Sequence, residues 1–367
     1  GEEQNIMEDE IPAGTTTIRN TLAVTIEEAF NQKLKFGITA FAYNEFQRHS
    51  FNHLPSYGAF DPVLPDESLW QSPNTQNLDK RKTNSYWSNN TFVGGAIHKQ
   101  SGKYIRYMAY GDVCLVGRKM GEFHIKGNIN AGFRAGKDSM TIEATAGFQN
   151  ETPDFFLQRY VSNHYVWQND FRKPMRFHVG GKIAYPTEWF KPAIKVDYET
   201  VTRHIYFDMS GMPQQNDGTI SILAGDIEAD LTTPWFNLDN HVVIQYSSSY
   251  LLAVPTMALY SNLYYHGTWF KALDTQIGVD LTYNTKYYAP YLNAATGQFC
   301  AQEEMKVGNY PRISVYANFY VRLLHLRFFA QYQHFNSLFM DRTYFSMPYY
   351  ATSPDVFRAG LAFHFYN

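Results

Sequence analysis

The sequence predicts an all-β fold, a transmembrane antiparallel β-barrel of about 14 to 16 strands or more. Three observations support this prediction. Segments of about ten residues alternate between apolar and polar side chains, the connections between them alternate between short and long, and aromatic residues make up 17% of the 367 residues. Short turns on one side and long loops on the other are typical of bacterial outer-membrane barrels.

About fifteen segments follow the period-2 pattern of a β-strand, and none has the length and pattern of a helix. A run of about 18 apolar residues does not occur either, so a transmembrane helix is excluded. The segments are longer than the five or six residues usual in soluble sheets. They span 19–29, 34–46, 88–98, 104–115, 121–134, 139–149, 174–185, 192–206, 219–231, 237–247, 257–269, 274–285, 311–322, 327–335 and 356–366.

Each segment divides into an apolar and a polar face. In residues 275–290, Ile277 and Val279 share one parity while Gln276 and Asp280 share the other. In a barrel the uninterrupted apolar parity faces lipid and the polar parity faces the lumen. We therefore expect lipid contact at Phe123, Ile129, Phe177, Ile277, Val279, Leu281 and Leu361.

The connections predict which rim is which. Short turns at 30–33, 135–138 and 323–326 are expected on the periplasmic side. Long loops are expected on the extracellular side, at 47–85, 150–172, 207–218, 286–310 and 336–355. Aromatic residues lie at both depths, with Trp269 and Phe270 beside a short turn and Tyr283 where a strand meets a long loop, as in aromatic girdles.

Charged residues are concentrated on the polar parity, so they are the candidates for a pore lining. Mixed signs favour an ordinary solvated wall, and a selectivity element made of like charges is the alternative. The acids Asp226, Glu228 and Asp230 fit such an element best, or otherwise a divalent-cation site of oxygen ligands. The candidates are Glu27, Lys35, Glu45, Arg106, Asp112, Lys126, Arg134, Glu143, Arg176, Lys182, Lys195, Asp197, Glu199, Asp226, Glu228, Asp230, Asp280, Arg312, Arg322, Arg327 and Arg358.

No residue pattern predicts a catalytic centre, a cofactor or a dedicated metal site, and we expect no enzymatic activity. His49 and His53 have helical ligand spacing, but they lie at a strand end and in a loop, where that spacing has no meaning. The net charge of −3 without clusters of one sign argues against nucleic acid as a partner. Cys114 and Cys300, the only cysteines, are expected to be unpaired rather than a disulfide.

The long loops suggest partners or a plug. The largest, HLPSYGAFDPVLPDESLWQSPNTQN, carries Tyr57, Phe60 and Trp70. Such aromatics suit a constriction folded into the lumen, sugar stacking, or anchoring of a lipoprotein or another outer-membrane subunit. Lipid of the outer membrane is the partner expected of the barrel itself.

Several segments together resemble the putative porins of Bacteroidota outer membranes. They are TQIGVDLTYNTKYYAP at 275–290, ATGQF at 295–299, GNYP at 308–311, RFFAQYQHFN at 327–336, YFSMPYY at 344–350 and the early segment at 19–46. The resemblance implies an outer-membrane β-barrel and says little about what passes through it. Members of that family are usually longer, with upstream strands, so the chain is similar to the C-terminal portion of such a barrel.

The expected organisation is an N-terminal extension or loop at 1–18 followed by a barrel at 19–367. With fifteen strands, segments 19–29 and 356–366 run in the same direction, whereas single-chain bacterial barrels have even strand numbers. We therefore expect an additional strand between them, or an error of one near the short connection at 116–120.

The leading functional hypothesis is a porin-like channel for passive or weakly selective passage of small hydrophilic solutes. A plugged barrel that serves as a structural or interaction subunit is the alternative, and a soluble β-sandwich is the third possibility.

Overall fold

A computed structural model describes residues 13–30, 35–52, 83–161, 165–340 and 345–363. Several sequence predictions lie outside these residues, namely those for His53, Tyr57, Phe60, Trp70 and the end of the last strand. The secondary structure is almost all β, and short helical segments such as Phe155–Gln158 lie in the connections. Among the described residues, no helix is long and apolar enough to cross a membrane.

One antiparallel sheet of 15 strands forms the barrel wall, and its strands follow one another in chain order. At about 3.3 Å per residue and a tilt near 45°, strands of 12 or 13 residues cross the hydrocarbon layer. The wall strands are β1 (Gly14–Ile26), β2 (Gly37–Asn52), β3 (Thr83–Lys99), β4 (Ile105–Val116), β5 (Phe123–Ala135), β6 (Asp138–Asn150), β7 (Met175–Ala184), β8 (Phe190–Thr202), β9 (Thr219–Thr232), β10 (Phe236–Ser247), β11 (Met257–Trp269), β12 (Leu273–Asn284), β13 (Arg312–Val321), β14 (Leu326–Gln333) and β15 (Val356–Phe363).

The structure confirms the all-β barrel fold and differs from the sequence prediction mainly at strand ends. β1 begins at Gly14, so the wall starts inside the segment expected to be an extension. β8 ends at Thr202, because Ile205–Phe207 pairs with other loop segments instead of continuing the wall. β4 and β5 are separate strands joined by a tight hairpin, so the connection at 116–120 does not hide an error in the strand count.

The rims of the sheet follow from its order. Connections of at most ten residues join strands at one end, here called the short-turn rim, at 27–36, 100–104, 136–137, 185–189, 233–235, 270–272 and 322–325. The other end, the long-loop rim, carries the connections at 53–82, 117–122, 151–174, 203–218, 248–256, 285–311 and 334–355. Two connections on the long-loop rim are short exceptions, with six residues at 117–122 and nine residues at 248–256.

The outer face of the wall is apolar and exposed. Five of the seven residues expected to contact lipid are exposed by 40% or more: Ile129, Phe177, Ile277, Val279 and Leu361. Phe123 is half-buried because the ring of Phe148 on β6 lies 5.2 Å away. An apolar surface of this extent, exposed in the described part of the chain, fits a lipid environment.

Tryptophan–phenylalanine pairs recur at three successive short turns, as Trp189-Phe190, Trp235-Phe236 and Trp269-Phe270, and all six side chains are exposed. The turns are linked through their backbones, since Thr232 N–H donates to the Trp189 carbonyl at 2.8 Å and His266 N–H to the Trp235 carbonyl at 3.0 Å. These hydrogen bonds hold the aromatic pairs at one level, as expected of a girdle at the membrane interface.

Three loops interlock at the long-loop rim. Ile205–Phe207 pairs with Pro213–Gln215 and, through Phe207 and Cys300, with the hairpin of Tyr291–Asn293 and Gln298–Cys300. The third loop contributes Trp167, whose ring lies 6.0 Å from that of Phe207. Cys300 is buried in this layer and Cys114 in the wall, and both are free thiols, as expected.

Candidate functional site on the inner face of the barrel wall

The polar parity of the strands defines the inner face of the wall. On β8, for example, Lys195 and Asp197 alternate with Ile194 and Val196, which are exposed on the outer face. Side chains on the polar face reach one another across an intervening strand, as Tyr43 of β2 reaches Asp112 of β4 at 2.5 Å. Such contacts are expected where a curved sheet brings side chains together, so this face is the concave one.

Most predicted pore-lining residues lie on this inner face, and their lining of a water-filled lumen stays a prediction. Three lie in turns of the short-turn rim instead: Glu27, Lys35 and Arg322. The inner-face set is Glu45, Arg106, Asp112, Lys126, Arg134, Glu143, Arg176, Lys182, Lys195, Asp197, Glu199, Asp226, Glu228, Asp230, Asp280, Arg312, Arg327 and Arg358.

A group of ion pairs crosses β7 to β10, here called the central charge cluster. Lys182 of β7 places its ammonium 2.8 and 3.0 Å from the two carboxylate oxygens of Glu228 on β9. The side chains meet above Ala193 of β8, which is 5% exposed. A larger residue at this position would stand between the two charges, so the small alanine permits the bridge.

Asp197 is the second centre of the cluster. The Lys195 ammonium lies 2.7 Å from its Oδ2, and His178 Nε2 lies 3.0 Å from its Oδ1. Gly180 makes room for this carboxylate, since a Cβ there would lie 2.2 Å from Asp197 Oδ1. Arg176 and Glu199 continue the row with an Nε to Oε1 distance of 3.1 Å.

The three acids suggested by the sequence as a selectivity element are not a row of free charges. Asp226 lies 2.6 Å from His241 Nε2, and Glu228 is held by Lys182. Asp230 accepts a 3.3 Å hydrogen bond from the backbone of Asn240. Ligand atoms of Asp226, Glu228 and His241 lie within 4.8 Å of one another and could hold a metal ion, although Lys182 already neutralises Glu228.

A second group lies on the first strands of the wall. Glu45 is 3% exposed and is bound by Arg19 of β1 and by Lys119, whose ammonium lies 2.9 Å from Oε2. Lys119 belongs to the hairpin at 117–122, where Gly117 and Gly121 have φ of 109° and 81°. These angles suit glycine, and they allow the tight turn that brings Lys119 over the inner face.

From β11 to β14, neutral hydrogen bonds lie on the inner face beside an ion pair, in which Arg322 Nη2 is 2.7 Å from Asp274 Oδ1 of β12. Tyr316 donates its hydroxyl to Asn262 Oδ1 at 3.0 Å, and Asn318 donates to Gln276 Oε1 at 3.3 Å. Arg327 donates to Asn318 Oδ1 at 3.2 Å. The described inner face therefore carries charged residues throughout, and from β11 to β14 amide and tyrosine groups are added to them.

Sequence reasoning missed the partners of the predicted charges. His178 and His241 share the polar parity with the acids that they contact, so their parity is the signal that could have identified them. Lys119 lies in a turn, and no local pattern indicates that it reaches Glu45. His49 is buried, and its ring stacks on that of Phe155 with 4.4 Å between the ring centroids.

An apolar exposed outer face, a polar concave inner face and alternating short and long connections together define a transmembrane β-barrel of the outer-membrane class. A family described as "putative porin" matches residues 8–367, nearly the whole chain. The protein belongs to this family and is an outer-membrane β-barrel. A comparison with curated proteins found no match.

Solved outer-membrane receptors share the fold. A variant of the ferric enterobactin receptor PfeA of Pseudomonas aeruginosa, in complex with enterobactin, aligns over 95% of this chain and 54% of its own, with 12% identity and a TM-score of 0.62. The siderophore receptor PirA of Acinetobacter baumannii aligns over 95% of this chain and 54% of its own, with 10% identity and a TM-score of 0.61. The copper transporter OprC aligns over 88% of this chain and 50% of its own, with 12% identity and a TM-score of 0.57.

The chain spans about half the length of these structures. At 10 to 12% identity, the likeness concerns the fold and does not extend to the substrates of these proteins.

Proposed function

We propose that the protein is a channel of the outer membrane for passive or weakly selective passage of small hydrophilic solutes, and that it transports rather than catalyses. One observation carries the proposal: the inner face is lined by charged and polar side chains over the whole width of the wall, whereas the outer face is apolar. A concave, solvated polar wall is what a water-filled pore requires. Membership of the porin family supports the same function.

The paired charges argue for weak selectivity. Lys182 with Glu228, Lys195 with Asp197 and Arg176 with Glu199 place opposite signs next to each other. A ring of unpaired like charges would be needed for strong preference for one ion sign. We therefore expect solute size to matter more than charge over most of the lumen.

Two adjacent residues of β6 provide a test with a built-in control. Thr145 lies on the inner face opposite Asn128 and Gly180, and Ala144 lies on the outer face opposite Ile129. The native cysteines are 1% and 0% exposed, so they should react little with a water-soluble thiol reagent. Thr145→Cys reconstituted in planar bilayers should lose conductance after treatment with a negatively charged methanethiosulfonate, and Ala144→Cys should not.

Equal responses of the two variants would contradict the assignment of the faces. A correctly inserted protein that conducts no current, before or after modification, would overturn the channel proposal and support the alternative.

That alternative is a barrel whose long loops hold a partner. The interlocked loop layer favours it, because Met209, Phe299 and Tyr349 expose apolar or aromatic surface of 41%, 56% and 66% in that region. A lipoprotein or another outer-membrane subunit is the partner that such a surface would suit. Bilayer recordings separate the two functions directly.

A further inference from the structure

The inner face has a recess of about 480 Å³ between β4 and β8. Its floor is Gly147 of β6, which pairs with Lys126 of β5 on one side and with His178 of β7 on the other. Because glycine carries no side chain, Lys126 and His178 stand at the edges of a gap about 10 Å wide, two strand spacings across. This size suits a small solute of one ring.

Two groups in the recess have unsatisfied hydrogen-bonding capacity. Within the described parts of the chain, the ammonium of Lys126 makes no ion pair or hydrogen bond, unlike the ammonium groups of Lys182 and Lys195 in the neighbouring cluster. The Oδ1 atom of Asn128, two residues along the same face, is buried and has no donor. The Lys126 ammonium needs a hydrogen-bond acceptor, preferably an anionic one, and Asn128 Oδ1 needs a hydrogen-bond donor.

The charges of the recess favour an anion. Lys126 and Arg176 bring two positive charges, and Glu199 brings one negative charge at the side of Arg176. Arg176 contacts Glu199 through Nε, so the outer guanidinium nitrogens are available to a second acceptor. His178 is already held by Asp197, whose charge is shared with Lys195. The charges that line the recess therefore leave an excess of one positive charge.

We propose that this recess is a binding subsite for small hydroxylated carboxylates, of the sugar-acid class, on their way through the lumen. The carboxylate of the solute binds the Lys126 ammonium. The amide of Asn128, whose Oδ1 is enclosed and has no donor, turns about its Cβ–Cγ bond so that Oδ1 faces the recess and accepts a hydrogen bond from a hydroxyl of the solute. A neutral sugar lacks the first contact, and a simple carboxylate lacks the second. The inference rests on the proposed channel function, because the solute reaches the recess from the lumen.

Binding is measured by titration calorimetry on the whole purified protein in detergent, which does not require conductance. The probes are galacturonate, galactose and propionate, at millimolar concentrations. Galacturonate should bind more tightly than the other two. Lys126→Gln should weaken galacturonate binding by about tenfold or more, as expected for a lost charge-assisted hydrogen bond. Asn128→Leu should weaken galacturonate and leave propionate unchanged.

Arg134→Gln is the matched control. Arg134 lies on the inner face of the same strand, eight residues from Lys126 and roughly 26 Å away, so its loss changes the charge of the lumen but not the recess. The affinity for galacturonate should then change by less than about twofold, because screening limits an effect over that distance. Folding of each variant is checked by heat-modifiable migration in electrophoresis.

If Lys126→Gln and Arg134→Gln weakened galacturonate binding equally, the positive charge of the lumen as a whole would attract the solute, and the proposed subsite would be overturned. So would equal affinity for the three probes, or a folded protein that binds none of them. These outcomes differ from a failure of the channel itself, which bilayer recordings report independently of binding.

Discussion

At the scale of single residues, Gly180 shows how a missing side chain allows the charged inner face to form. The position lies on the inner face of β7, opposite Asp197. A Cβ there would lie 2.2 Å from Asp197 Oδ1 and 3.1 Å from Thr145 Oγ1, so the carboxylate would have to leave Lys195 and His178. The glycine thus permits ion pairs that sequence alone does not indicate.

We expect Gly180→Ala to lower the free energy of unfolding by about 1 to 3 kcal/mol, as for other overpacked sites. Gly181→Ala is the control, since its Cβ on the outer face would have an ordinary contact of 3.6 Å with the Glu143 carbonyl. Thermal unfolding in detergent compares the two variants with the native protein. A loss of stability that is equal for both would show that the space around Asp197 has no special role.

We expect His204 to make the loop layer sensitive to acid. It directly precedes Ile205–Phe207 and lies outside the wall, and burial lowers the pKa of its imidazole, with the charge of Arg176 acting in the same direction. When the loop opens, the imidazole regains an ordinary pKa near 6.5 and takes up a proton more readily than in the closed layer. The contribution of neutral His204 to the stability of the closed loop layer is therefore fully present above about pH 6.5. It is lost as the pH falls from there through the lower pKa that the imidazole has in the folded state.

Cleavage of the long loops by proteinase K should accordingly be faster at pH 5.5 than at pH 7.5. Each cleavage rate is first divided by the activity of the protease at the same pH. His204→Gln removes the titrating group and should make the ratio of the two rates smaller. A ratio unchanged by this substitution would assign the acid sensitivity to other residues.

At the scale of elements, the wall strands could be predicted because each carries its own signal, the alternation of apolar and polar residues over ten or more positions. The segments of the loop layer could not. Ile205–Phe207 and Gln298–Cys300 have three residues each and depend on each other across a separation of more than 90 residues, so they show no local periodicity. For the same reason, the sequence predicted that 192–206 is a single strand.

The inner face shows the same limit. Parity identified Lys182, Lys195, Asp226 and Glu228 as inner residues, because side-chain direction is a local property of a strand. It could not show that Lys182 reaches Glu228 across β8, because such a contact depends on the register of three strands and on the small side chain of Ala193.

β5 tests the outer face. Ile129 is the central residue of this strand of 13 residues and is 52% exposed, whereas the next residue, Asn130, pairs with Glu143 on the inner face. Ile129→Arg should cost about 2 to 4 kcal/mol, because it places a charge at the depth of the bilayer midplane. Asn130→Arg should cost much less, since its side chain is solvated next to a carboxylate. Unfolding by urea in lipid bilayers measures both, and equal costs would contradict the lipid exposure of Ile129.

At the scale of the whole molecule, the two edges of the wall determine how the barrel closes. β1 and β15 are the ends of the strand order, and they do not pair with each other within the described residues. Fourteen antiparallel steps separate them, so both strands run in the same direction. Direct closure would be parallel, whereas outer-membrane barrels close with antiparallel neighbours.

An edge left open in lipid is costly, because each unsatisfied backbone group in the hydrocarbon layer costs several kcal/mol. We therefore predict that, in the membrane, β1 and β15 are separated by an odd number of additional strands and do not contact each other. Oxidative cross-linking in outer membranes tests this. The controls are the paired outer-face positions Val24→Cys with Ala40→Cys and Ala330→Cys with Ala359→Cys, which should form disulfides. Val24→Cys combined with a cysteine at Phe357, Ala359 or Leu361 should form none, and an efficient disulfide in any of these three combinations would show that the wall closes on itself.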